Sequence, residues 1–292
     1  MAQALFTSPL GAWSCCAAMA LIFGLPLAAE EAASEEPASP WSSKAELSLV
    51  STSGNSRSTS FGFAGSVTHA FEQSSVKFSV SGLRAETATE DRRAVGSPLD
   101  FRILDRSETE TTAENYEADL RADRKLASGR SWYGNVKWRQ DEFAGFDSRL
   151  TIGSGIAFPI VDKEHSKWTF ESGLTWNREE DLDGLVDEFG GVRLALEGNR
   201  RLTENSTFEL LLEVDENIDE TSDVRAELYT GIKVAMNKNL SLKVSLDLRF
   251  DNLPALSSLA LENEDGTMTG ESVSFELDDI DSELKASLVV EF

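Results

Sequence analysis

The side chains best placed to do chemistry recur at every second position. "NYEADLRADR" sets Glu117, Asp119 and Arg121 in such a row, and "NVKWRQ" adds Lys137 and Arg139. Alternate spacing puts these groups on one face of a β-strand. Two carboxylates so placed could act as general acid and base, or could neutralise cations beside them. The same pattern supplies Glu171, Arg193, Glu197, Glu209, Glu213, Lys233, Lys243, Asp247 and Arg249. Both signs are present throughout, which favours a salt-bridged, water-facing wall over acid–base catalysis. No catalytic residue, metal ligand or cofactor is assigned from this pattern.

Other candidates are few. His69 lies in an alternating segment beside Phe71 and His165 in a tight turn, so both read as structural. Acidic residues crowd "REEDLDGLVDEFGG" and "ENEDGTMTG". In the first, Gly184 follows Asp183 at once, two residues too early for a calcium loop, so solvated acidic loops are expected. Cys15 and Cys16 both lie near the amino terminus, which leaves the rest of the chain without a disulfide or a cysteine metal site.

The elements that must carry these faces are long strands. In "TSFGFAGSVTHAF" the positions Phe61, Phe63, Val67, His69 and Phe71 make an apolar face, while Ser60, Ala64, Ser66 and Thr68 make a small polar one. The pattern recurs about twelve times, an even count, up to Leu284, Ala286, Leu288, Val290 and Phe292. Tight turns at 72–75, 127–130, 161–166, 202–205 and 236–239 alternate with longer acidic connections at 84–112, 177–190 and 252–280. That alternation predicts a meander with turns at one end, loops at the other, and both termini on the turn side.

Composition bounds the class. The chain has 292 residues, a net charge of -24 and a mean hydropathy of -0.26, too polar for a bundle of membrane helices. So acidic a chain is not expected to bind nucleic acid. Residues 1–29 read as a secretory signal peptide, without the usual cationic start, and 30–43 as a flexible acidic linker. Residues 44–292 form the remaining domain.

Four features separate a membrane barrel from a soluble sandwich. Several alternating runs reach the roughly 9 to 11 residues that cross a bilayer as a tilted strand. Aromatic residues of the apolar face gather at two levels: Phe71, Trp132, Phe158, Trp168, Phe208 and Phe292 toward the turns, and Phe61, Tyr116, Trp138, Trp176 and Phe250 toward the loops. The middle of that face carries no charge, while the opposite face holds charges of both signs. Finally, an open edge in lipid is costly, so the last strand must pair with the first. The expectation is an all-β fold: a transmembrane, antiparallel, up-and-down β-barrel of about twelve strands.

Several segments then resemble a known family. "LSLVSTSGNSRSTSFGF", "ENYEADLRADRKLASGRSWYGNVKWRQDEFAGFDSRLTIGSGIAF", "RLTENSTFELLLEVDEN" and "LSLKVSLDLRFDNLP" are similar to the salt-induced outer-membrane proteins of Gram-negative bacteria, mostly described as a domain of unknown function. The resemblance spans roughly residues 44 to 292. It implies an outer-membrane location, and Phe292 looks like the carboxy-terminal signal read by the barrel assembly machinery. It supplies no agreed activity.

The function expected is therefore structural, or that of a narrow passive channel favouring small cations. Expected partners are the lipid bilayer, lipopolysaccharide and the assembly machinery. Two alternatives stand beside it. One is a lipid-active enzyme sited on the wall, as in outer-membrane phospholipase, with His69 as its candidate; His69 falls at the turn level, away from the outer leaflet where that enzyme works. The other is a surface protein that binds through its acidic loops, for instance by divalent bridges to lipopolysaccharide phosphates.

Overall fold

The computed structural model describes residues 39–52, 57–97, 100–254, 256–262 and 268–292. The expected signal peptide, most of the linker, both cysteines and most of the "TSGNS" motif lie outside these residues. The strands are β1 (Trp41–Thr52), β2 (Arg57–Ala70), β3 (Ser74–Ser97), β4 (Asp100–Lys125), β5 (Ser131–Asp141), β6 (Phe146–Lys163) and β7 (Ser166–Asp181). They continue with β8 (Val186–Arg201), β9 (Ser206–Asn217), β10 (Val224–Ala235), β11 (Leu240–Asp251), β12 (Leu256–Glu262), β13 (Met268–Glu276) and β14 (Ile280–Glu291).

Among the described residues, β1 to β11 and β14 close into a twelve-stranded antiparallel barrel, and β12 and β13 form a separate two-stranded hairpin. Alternation explains why these segments are strands, because a single period sends apolar side chains outward and polar ones inward. Leu49, Phe61, Phe78, Trp132, Val136, Ile152, Leu174, Leu194, Ile232 and Leu242 are all exposed on the outside. The interior is polar, with Glu171, Thr175, Asn177, Glu213, Ser245, Asp247 and Ser287 buried. Val289 is the exception anticipated by its position, an apolar residue facing inward and buried.

The strands are staggered as well as paired. One row of register partners runs from Asp123 through Tyr133, Gly155, Gly173, Arg193, Asp215 and Arg225 to Asp251. It starts near the turn end of β4 and finishes at the loop end of β11, which is the stagger a tilted, closed barrel requires.

Three expectations are corrected. First, β1 begins at Trp41, so residues 41–43 belong to the barrel rather than to the linker; Trp41 pairs with His69, and the Ser43 amide donates to the Phe292 carbonyl at 3.1 Å. Second, 84–112 is not a loop: β3 and β4 stay paired from Arg84↔Glu114 out to Ser97↔Asp100, with one register shift between Ala85 and Glu86. Likewise 252–280 contains the β12–β13 hairpin. Hydrophobic alternation marks a strand only while one of its faces is apolar; past the barrel rim both faces are wet, so the signal fades while the ladder continues. Third, the connection expected at 177–190 shrinks to 182–185. There Gly184 supplies a φ of +78°, and Asp181 Oδ1 accepts from the amides of Asp183 and Leu185 at 3.0 and 2.8 Å.

Candidate functional site

The inward charges meet in the lumen and join neighbouring strands as well as strands that are not neighbours in the sheet. Arg121 on β4 reaches Glu171 on β7, with Nη2–Oε1 at 2.5 Å. Arg193 on β8 donates to Glu171 Oε2 at 2.9 Å and also pairs with Glu213 on β9. Lys137 on β5 approaches Glu213 at 3.6 Å. Glu171 is 2% exposed, and two guanidiniums meet its otherwise costly burial.

Tyr133 organises this layer. Its ring, 1% exposed, lies 4.6 Å from the Arg121 guanidinium and 5.7 Å from that of Arg193, and its hydroxyl accepts from Arg193 at 3.2 Å. Gly155 and Gly173, next in its register row, give the ring a floor: a Cβ at Gly173 would lie 2.5 Å from Tyr133 Oη.

Nearer the loop end, Arg149 and Arg225 share Glu179 Oε2, at 2.5 and 3.1 Å. Arg139 pairs with Asp141 at 2.8 Å, and Arg249 approaches the same carboxylate at 3.6 Å. Nearer the turn end, Lys243 pairs with Glu46, and Lys233 donates to Glu291 at 2.7 Å. Lys285 lies 3.0 Å from both Asp247 and Glu283.

The expected lumen residues thus divide. Arg121, Lys137, Arg139, Glu171, Arg193, Lys243, Asp247 and Arg249 all join ion pairs, and so do Glu213 and Lys233. Glu209 lies 3.9 Å from Lys233 and accepts from the Tyr229 hydroxyl at 3.2 Å, and Asp119 accepts from Asn135 at 3.4 Å. Glu117 lines a cavity and, among the described residues, forms no ion pair. Glu197 continues the inward row of Arg193 and Ala195 but is exposed near the turn-end mouth, outside the network. Sequence reasoning missed Glu46, Tyr133, Asp141, Arg149, Glu179 and Arg225. Each continues the two-residue period of its strand, so the signal was present; several sit at strand ends, where the apolar face that revealed the period has run out.

Among the described residues, cavities lie beside the network toward both ends. One of about 240 Å³ lies toward the loops, bounded by Arg149, Arg225, Phe143, Pro254 and Asp278 among others. The other, of about 200 Å³, lies toward the turns between Lys44, Ser66, Ser81, Lys233 and Glu291.

Residues 45–269 match a family described as a protein of unknown function, DUF481. The chain belongs to the DUF481 family. No curated protein matches it. Among solved structures it is similar to the NanC porin, at 9% identity and a TM-score of 0.40 over 86% of this chain and 97% of that one. It is also similar to an anion-selective porin from Comamonas acidovorans, at 9% identity and a TM-score of 0.37 over 86% and 98%. The outer-membrane expressed OmpT of Vibrio cholerae aligns at 7% identity and a TM-score of 0.38 over 86% and 96%. The ladder and its closure, rather than these distant likenesses, establish the barrel of this DUF481 chain.

The wall candidate His69 is held in an aromatic sandwich. Its ring lies 4.3 Å from those of Trp41 and Phe71, and Nδ1 is buried without a hydrogen-bond partner. In this DUF481 barrel, among the described residues, no hydroxyl hydrogen-bonds that nitrogen.

Proposed function

We propose that this DUF481 chain is an outer-membrane β-barrel of a Gram-negative bacterium that acts as a narrow passive channel, with no enzymatic step. The observation that carries the reading is the coexistence of an exposed apolar outer face with a wet lumen that keeps a cavity at each end. An outward Leu, Ile, Val and Phe surface is costly in water and at ease in hydrocarbon. Twelve strands enclose less than the sixteen of an open porin, and ion pairs occupy part of that space, so only small solutes would pass.

In this reading the turns and both termini face the periplasm, the loops face outward, and the resemblance to salt-induced proteins adds an expected link to salt stress. Phe292 then stands at the periplasmic interface as part of the strand presented to the assembly machinery, and the loops meet lipopolysaccharide. The test is conductance of the refolded protein in a planar bilayer. Discrete current steps support the channel; a folded, inserted barrel that stays silent rules it out.

A further inference from the structure

Beneath the 240 Å³ cavity at the loop end, the lumen is filled mainly on one side. Arg249 on β11 and Asp141 on β5 meet at 3.6 Å, and these strands lie six steps apart in either direction around the ring. Their bridge spans the lumen toward the loop end. On the side of β5 to β11 lie Tyr133, Glu171 with Arg193, the Lys137–Glu213 contact and the Arg149–Glu179–Arg225 chain, and Arg121 reaches Glu171 from the adjoining β4. These side chains pack that half beneath the loop-end cavity.

The other half is built differently. From Ser58 to Thr68 every inward position of β2 is Ser, Gly, Ala or Thr. Ser48 on β1 lies over Gly62, where an added Cβ would come within 2.5 Å of its Oγ. On β3, Ser79 and Ser81 continue the wall, and the 200 Å³ cavity lies directly against Ala64, Ser66, Ser79 and Ser81. Small side chains leave room for solute, whereas crossed ion pairs do not.

Resting on the channel reading above, we infer that solutes cross along an eccentric lane against the serine-lined wall of β1 to β3, and not through the centre of the barrel. Serine hydroxyls both donate and accept, so the lane can replace part of a hydration shell for either sign of charge. Four lysines and four glutamates line its cavity, so the lane carries no net charge. The solutes it fits are small hydrated ions of either sign and small neutral polar molecules.

Bilayer recordings of the refolded protein test the lane. Ser66→Trp and Ser81→Trp should each cut unit conductance several-fold. Asn199→Trp, placed on the inward row of β8 at the mouth of the packed half, should leave it unchanged. Heat-modifiable gel migration verifies that each variant is folded. Should the tryptophans prevent folding, Ser81→Cys in a background of Cys15→Ser and Cys16→Ser replaces them; a charged methanethiosulfonate reagent should then reduce the current stepwise. Block by Asn199→Trp with free conduction through the Ser66 and Ser81 variants would overturn the lane and leave the channel standing. A folded barrel that never conducts would remove the channel reading and the lane together.

Discussion

Arg249 and Asp141 face each other across the lumen at 3.6 Å, although one hundred and eight positions separate them and neither strand touches the other in the sheet. Asp141 also holds Arg139 at 2.8 Å and caps the Ala144 amide at 3.1 Å, so one buried carboxylate ties the wall, the lumen and the turn after β5 together. Removing it would take the carboxylate from Arg139 and leave Arg249 with Glu227 at 3.9 Å. Asp141→Ala should therefore destabilise the barrel by about 3 kcal/mol in urea unfolding, and Asp141→Asn, which keeps the cap, by less. Equal losses in the two variants would mean that the cap contributes little, and an Asp141→Asn protein as stable as the unaltered one would mean that the ion pairs do.

Gly173 should resist even a single methyl group. A Cβ there would approach the Ser154 carbonyl at 2.6 Å as well as Tyr133 Oη at 2.5 Å, and the backbone oxygen cannot swing away. Gly173→Ala is expected to lose the folded, heat-modifiable form, and Tyr133→Phe should not rescue it. Normal assembly of Gly173→Ala would show that the floor of the ring yields.

The closing seam is short. Among the described residues β1 pairs with β14 from Ser43↔Phe292 to Leu47↔Leu288, whereas β14 pairs with β11 from Leu240 to Phe250. Leu284, just past the paired stretch, is 76% exposed. Amides of Leu49 to Thr52 on β1 that face β14 should exchange with deuterium before those of the β11–β14 ladder. Uniform protection across both ladders would contradict the short seam.

The acidic excess of the whole chain led to an expectation of cation preference, but the lane's lysines and glutamates balance. The reversal potential in a potassium chloride gradient should lie close to zero, and Lys77→Glu should move it toward the potassium value. Strong cation selectivity of the unaltered protein would place its filter in the acidic loops instead.

His69 should matter to stability and not to chemistry. Loss of its two ring contacts in His69→Ala should cost about 1 kcal/mol. Lipid hydrolysis by the refolded protein, abolished in that variant, would restore the enzyme alternative.

The sequence by itself determined which face of each strand is apolar, because a period of two is local: Arg121, Lys137 and Arg193 were assigned inward from their neighbours alone. The even strand number and the turn positions followed from the same pattern. The partners did not. Arg121 finds Glu171 fifty positions away because stagger brings a residue of β7 to its level, and stagger is a property of the closed ring. The same holds for Tyr133, whose burial depends on glycines from two other strands. It holds too for the long β3–β4 hairpin, where the ladder outlasts the hydrophobic signal. What only the tertiary structure decided is which half of the lumen is packed and which is open. Inward charge is written strand by strand, but which charges can reach one another is fixed when the sheet closes on itself.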